Sequence, residues 1–295
     1  MLDEKLYLEE KVPEKHQQLW QYIKKKHSAS ACIWYIIVMF ILIVFCNFIA
    51  PFSPEYQDFN SISTPPAWDK NGNISHVLGT DKIGRDIYSK NIYGCKITFG
   101  YSMIIAIFCL ITSVLTSTLI MIADNKHFFI YYFNNIILSI PSMLILALTI
   151  VIFNFNEIAI YIAATISSYS VLLQKNIEIL NNECRKEYVK IAEIEGASKI
   201  ERIFKVMMPN TWMKILIQAI HAYSIIIIEI SSAGFLGLGG ENFIYELGFM
   251  ASQSQINFYG EQINWVVPTI IIATTLTAIN VIAHHIEKFI ERSKD

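Results

Sequence analysis

Charge is scarce in this chain. Asp, Glu, Lys and Arg make up 16% of its 295 residues, against about 25% in an ordinary soluble domain. The charge that remains nearly cancels, at a formal −2, so there is no basic footprint for nucleic acid. The five cysteines (Cys32, Cys46, Cys95, Cys109 and Cys184) include no C-x-x-C pair. Neither a disulfide framework nor a zinc site is read from them, and buried free thiols are expected. The seven histidines contain no H-E-x-x-H spacing, and nothing asks for a metal or a cofactor. No internal repeat or low-complexity tract is present. What abounds is hydrocarbon: 54% of the residues are hydrophobic, which places the chain in the membrane class.

The long apolar runs set the organisation. Residues 1–30 form a polar tail with six lysines, and residues 31–50 then run without a charge. At 1.5 Å rise, about twenty residues match a ~30 Å hydrocarbon core. The run is too long for a signal-peptide core and has no A-x-A site, so an uncleaved first span is expected. Residues 51–97 are rich in Pro, Asn, Ser and Asp, which is loop chemistry. The stretch 98–286 holds five more spans, near 100–123, 132–153, 157–173, 215–236 and 265–284. Pro141 should kink the third. Residues 287–295 close the chain. The expectation is an all-α polytopic protein with six transmembrane helices.

Lys and Arg orient it. The N-terminal tail, the 124–128 turn, the 174–214 segment and the C-terminus collect eighteen of the 23, and the segments 51–99 and 239–264 hold five. Both termini and the 174–214 segment are therefore expected in the cytoplasm, with 51–99 and 239–264 outside.

The segment "EYVKIAEIEGASKIERIFKVMMPN" (187–210) is charged, unlike its flanks. Tyr188, Ile191, Ala192 and Ile194 have helical spacing. Gly196 stands where a left-handed residue would stop that helix. Ser198 and Glu201 spell a capping box for a second helix, with Ile200, Ile203, Phe204 and Met207 along it and an end before Pro209. A connector of about forty residues with two built helix ends is uncommon. A docking element for a soluble partner accounts for the apolar faces better than a solvated link does.

The same segment resembles the "EAA" loop of ABC-importer permeases. Lys190-Ile191-Ala192 stands for E-A-A, Gly196 follows at the family distance, and Val206-Met207-Met208-Pro209 replaces I-x-L-P. Glu187-Tyr188-Val189 and Gly196-Ala197-Ser198 are similar to the dipeptide/oligopeptide C-type branch. "LGTDKIGRDIYSK" (78–90), "SIPSMLILAL" (139–148) and "EISSAGFLGLGG" (229–240) resemble three further blocks of peptide permeases, and "PPAW" (65–68) is most like the Sap peptide-uptake branch, linked to antimicrobial-peptide resistance. Departures are Leu247 for Trp in the loop after Gly239, the lack of proline there, and Asn135 where a relative has Asp. The resemblance covers residues 30–290. It implies a type I ABC importer permease fold in the bacterial inner membrane and no enzyme activity of the chain itself. The implied partners are a homologous second permease, two cytoplasmic ATPases and a periplasmic peptide-binding protein. It further implies ATPase coupling through helices at 187–207, with Glu187, Tyr188, Val189, Ala192, Gly196, Ala197, Ser198 and Pro209. Gly79, Thr80, Asp81, Gly84, Arg85 and Asp86 would form an external gate or binding-protein contact.

Three other constellations stand out in the sequence. "GTDKIGRD" (79–86) nearly fits a P-loop, but Arg85 replaces the phosphate-binding Lys and Asp86 would repel phosphate. Glu229 lies within a span, where a carboxylate is functional by default. It either lines the translocation pathway or bonds a neighbouring helix, or it works with His221, eight residues earlier, as the proton relay of a secondary transporter. Ser102 and His285 form a nominal nucleophile–base pair, but they sit at opposite ends of their spans, beyond the reach a dyad needs.

Overall fold

The computed structural model describes residues 15–123, 128–154, 156–240, 243–253 and 263–292. Residues 1–14 of the expected tail, 124–127 of the turn, 241–242 and 254–262 of the 239–264 segment and 293–295 of the C-terminal stretch lie outside these. Among the described residues the chain is helical with no strand; the one isolated bridge joins Thr80 and Asp86. Five helices are long and apolar enough to cross a membrane, and a bent pair supplies a sixth.

Helix α1 (Lys15–Lys24) precedes α2 (His27–Val44) and the short α3 (Cys46–Ile49). The tail is thus partly folded, and the helix that carries the first apolar run starts at His27. Helix α4 (Ile87–Cys95) continues through a π turn (Lys96–Gly100) into α5 (Tyr101–Ile122), so one rod extends over Ile87–Ile122. Next come α6 (Phe128–Ser139), α7 (Ser142–Ile152), α8 (Glu157–Cys184), α9 (Glu187–Ile194) and the single turn α10 (Lys199–Glu201). A second π turn (Arg202–Met207) leads into α11 (Met208–Phe235), followed by α12 (Leu247–Ser252) and α13 (Ile263–Arg292).

Two prolines act differently from expectation. Pro141 does more than kink the third span: α6 and α7 meet at 95°. Its φ of −54° and ψ of 135° are extended, and its ring keeps Ile140 from continuing the helix. The helix restarts on the Pro141 carbonyl, which accepts from the N–H groups of Leu144 and Ile145. Pro209, expected to follow a helix end, instead lies inside a continuous rod over Lys199–Phe235. It occupies the first turn of α11, where a missing N–H costs least, and the π turn just before it relieves the i−4 clash.

The core lies where α5, α7, α8 and α11 meet. Small side chains (Ala106, Ala159, Ala163, Ala164, Ala222 and Ala233) interleave with Ile145, Ile160, Ile226 and Ile230. Small residues one turn apart let helix backbones approach without help from water. Hydroxyls along α5 satisfy themselves on the preceding turn, as Thr112 does on the Phe108 carbonyl and Thr116 on that of Thr112. The first and last spans pair through Tyr35, whose hydroxyl lies 2.9 Å from both Thr274 and Thr275. The outward face of α5 (Ile104, Ile107, Phe108, Ile111, Leu115, Leu119) is exposed hydrocarbon. All five cysteines are free; Cys46, Cys95 and Cys109 are buried as expected, but Cys184 is exposed.

Candidate functional site

The end carrying α9 holds the charged segment, and its turn follows local chemistry. Gly196 takes φ +89°. The N–H of Gly196 donates to the Glu193 carbonyl and that of Ala197 to the Ala192 carbonyl, both at 3.0 Å, which is a Schellman stop. Ser198 caps the next turn: its hydroxyl accepts from the Glu201 N–H, while the Glu201 carboxylate accepts from the Ser198 N–H. Arg202 Nη1 reaches Glu193 Oε2 across the turn at 2.6 Å, fixing the angle between α9 and the rod.

Burial splits the apolar positions into two sets. Val189, Ile203 and Met207 turn inward onto Leu180, with Met121 and Ile122 of α5 beside them. Ile191, Ile194, Ile200 and Phe204 are exposed, Ile194 by 85%. Of the sequence-predicted positions, Glu187, Gly196, Ser198 and Pro209 lie at the surface and Tyr188, Ala192 and Ala197 are half-buried. Val189, at 1% exposure, has no surface to offer a partner; it roots α9 in the bundle.

Beneath α9 lies a group the sequence did not single out. Glu183, in the last turn of α8, is fully buried. Its Oε1 accepts from Lys186 Nζ at 2.7 Å and from the Tyr188 hydroxyl, and its Oε2 from Lys214 Nζ of α11 at 2.8 Å.

At the opposite end, residues 51–86 fold into a clasp over α4. The sequence-predicted residues here are its frame, with Gly79, Thr80, Asp81, Gly84 and Asp86 buried and Arg85 half-buried. Asp81 accepts from the Arg85 N–H, Arg85 Nε and Lys90 Nζ, each at 2.9 Å. Asp86 caps α4 through the Ser89 N–H at 2.8 Å and pairs with His76 at 3.0 Å. Gly79 and Gly84 have φ of +84° and +77°, and a Cβ on Gly84 would lie 2.3 Å from the Asp58 carbonyl oxygen. With their polar atoms spent internally, these residues frame this end of the molecule rather than line its surface. Phe59, Trp68 and Ile74 are exposed there instead.

Burial pushes the Asp81 carboxyl up, but Lys90 and then Arg85 outweigh it and hold the group below its ordinary 3.8. A lowered carboxyl contributes stability that is present above the unfolded value and lost as pH falls through the folded one. Asp81→Asn should therefore loosen the clasp at pH 7, and the difference from the wild type should vanish only well below pH 3.8. Limited proteolysis of residues 51–86 across that range reads this directly.

Between the helices, Glu229 of α11 accepts the Ser167 hydroxyl of α8, at 2.7 Å to Oε2 and 2.9 Å to Oε1. His221 does not join it; its Nε2 lies 3.0 Å from Glu287 of α13. The two members of the proton-relay reading thus face different partners. Ser102 donates to the Thr98 carbonyl, while His285 pairs with Ser28 at 3.1 Å, so no dyad forms. The 239–264 segment was expected to be loop alone, yet α12 is built into the bundle. Glu246, fully buried, caps it through the Phe249 N–H at 2.8 Å and accepts the Thr98 hydroxyl at 2.8 Å. Among the described residues, no cluster of His, Cys, Asp and Glu suits a metal ion.

Residues 127–295 match the family described as the binding-protein-dependent transport system inner membrane component. Residues 16–66 match the N-terminal TM domain of oligopeptide transport permease C. The dipeptide transport system permease protein DppC of Haemophilus influenzae is 30% identical over 270 residues, covering 90% of each chain. DppC of Escherichia coli K12 is 27% identical over 90% of this chain and 88% of its own. The peptide transport system permease protein SapC of Shigella flexneri also matches, at 25% over 80% of each. These dipeptide permeases align over more of the chain than SapC does. Among solved structures, inward-facing MetNI, a methionine ABC transporter, superposes with a TM-score of 0.53 at 16% identity, covering 67% of this chain and 96% of its own. That likeness is one of fold.

Proposed function

Since this chain belongs to the family of binding-protein-dependent inner-membrane transport components, we propose that it is the peptide-conducting permease of an ATP-driven importer, half of a pathway completed by a homologous second permease. Two cytoplasmic ATPases dock on the α9–α10 surface, and a periplasmic binding protein delivers cargo at the clasp end. The observation that carries this is the exposed set of Ile191 and Ile194 on α9, Ile200 on α10 and Phe204 in the π turn that follows. Apolar side chains in water at a rigid, charged surface suit a protein partner. The chain makes and breaks no covalent bond. ATP acts by changing how the ATPases meet α9 in two states, since a ligand shifts an equilibrium only through differential contact. The names of the relatives support short peptides as cargo. The Sap-like "PPAW" motif supports antimicrobial peptides among them, which peptide sensitivity of a deletion strain tests.

Purification of the tagged chain checks the assembly: a second permease and two ATPases should accompany it, and uptake should stop without ATP. A lone chain driving proton-coupled flux would overturn the reading. Orientation is checked by single cysteines in a cysteine-free background. Positions 68 and 74, where Trp68 and Ile74 are 70% and 87% exposed, should react with an impermeant reagent in spheroplasts. Positions 194 and 204 should react only after lysis, and the reverse pattern would reject both topology and docking.

A further inference from the structure

Glu183 has no place in the surface described above, yet its surroundings are those of a joint. A fully buried carboxylate is costly unless donors surround it. Here three donors arrive from three directions. Lys186 lies at the entrance to α9, Tyr188 lies on α9 itself, and Lys214 lies on α11. Glu183 closes α8, so one side chain ties the ends of α8 and α11 to the helix between them. The apolar contacts beside it (Leu180, Val189, Ile203 and Met207) join the same elements and reach α5 through Met121 and Ile122. Packing of that kind resists separation but tolerates sliding. Charge-assisted bonds to a fixed carboxylate set direction as well.

We infer that Glu183 is a positioning residue for coupled transport, holding α9 rigidly to α8 and α11 so that movement of α9 becomes movement of the spans. It touches neither cargo nor nucleotide. The inference rests on the ATP-driven reading above.

The test uses the full purified complex in proteoliposomes, with radiolabelled dialanine as cargo. ATP hydrolysed and dialanine taken up are measured together. Wild-type uptake must depend on ATP; if it does not, the importer reading fails, whatever Glu183 does. In Glu183→Gln the side chain keeps its volume and loses its charge. Dialanine moved per ATP should fall about tenfold, within the usual range for coupling between sites, with subunits retained and hydrolysis continuing. Lys214→Met added to Glu183→Gln removes the stranded cation. It should restore thermal stability but not the uptake-to-hydrolysis ratio, because the directional tie stays absent. Recovery of that ratio in the double variant, or an unchanged ratio in Glu183→Gln, would reduce Glu183 to a packing residue and overturn the inference. Should Glu183→Gln fail to assemble, the double variant alone decides by the same ratio.

Discussion

Gly196→Val should cut ATP-coupled uptake about tenfold while leaving every span inserted. Gly196 has φ +89°, and an added Cβ there would meet no atom within 4 Å, so no clash enters and the whole penalty lies in the backbone. Forcing an L side chain into that region costs about 1–2 kcal/mol, and 1.4 kcal/mol is roughly tenfold in an equilibrium. Relief is available only by rotating the turn, which breaks the two Schellman hydrogen bonds and moves Glu193 away from Arg202. Ile191 and Ile194 then no longer share a surface with Ile200 and Phe204. The buried seam of alanines and isoleucines is remote from the turn, so membrane levels should hold. Asparagine tolerates positive φ better than valine, and Gly196→Asn should recover part of the activity. The measurement is ATPase stimulation and uptake in the purified complex. Full stimulated uptake in the valine variant would make the turn a mere connector.

Removal of the Glu229 carboxylate should have the second large effect. Glu229→Leu removes both oxygens that accept the Ser167 hydroxyl. Intramembrane hydrogen bonds average only about 0.6 kcal/mol, so the lost bond is too little to unfold a helical bundle. The loss should appear as function. Ser167 lies on α8 and Glu229 on α11, and without their bond the two helices are free to shift against each other. Uptake should fall about tenfold, within the usual range for coupling between sites, at near-normal thermal stability. Glu229→Gln retains an acceptor for the Ser167 hydroxyl and should keep most of the transport. Abolished uptake in Gln together with dependence on a proton gradient would point to a relay and away from ATP drive.

Local chemistry was the part of this protein most open to reading in advance. Gly196, Ser198 and Glu201 announced a turn because a Schellman stop and a capping box are written within six residues. The spans were legible because hydrocarbon length is set by the bilayer. Pro141 and Pro209 were each recognised, but the degree of their effect was not. One makes a 95° break and the other sits in an unbroken rod, and the difference lies in a preceding π turn that has no sequence signature. Glu183 could not be found at all. It is one of several acidic residues in a charged stretch, and its partner Lys214 is 31 positions away. Helix α12 was missed because six residues are too short to show a period. The block at 78–90 was legible as a motif, but the burial of Thr80, Asp81 and Asp86 within it, with Trp68 and Ile74 exposed nearby, was not.

The rod from Lys199 to Phe235 has 37 residues, about 55 Å at 1.5 Å per residue, against a hydrocarbon core of ~30 Å. It is a lever with its handle outside the membrane. A tilt of about 5° about one end of such a rod carries the other end through roughly 5 Å, close to one helical turn. Angle alone can thus convert a small displacement of the handle into a large one at Phe235, with no helix melting or sliding along its axis.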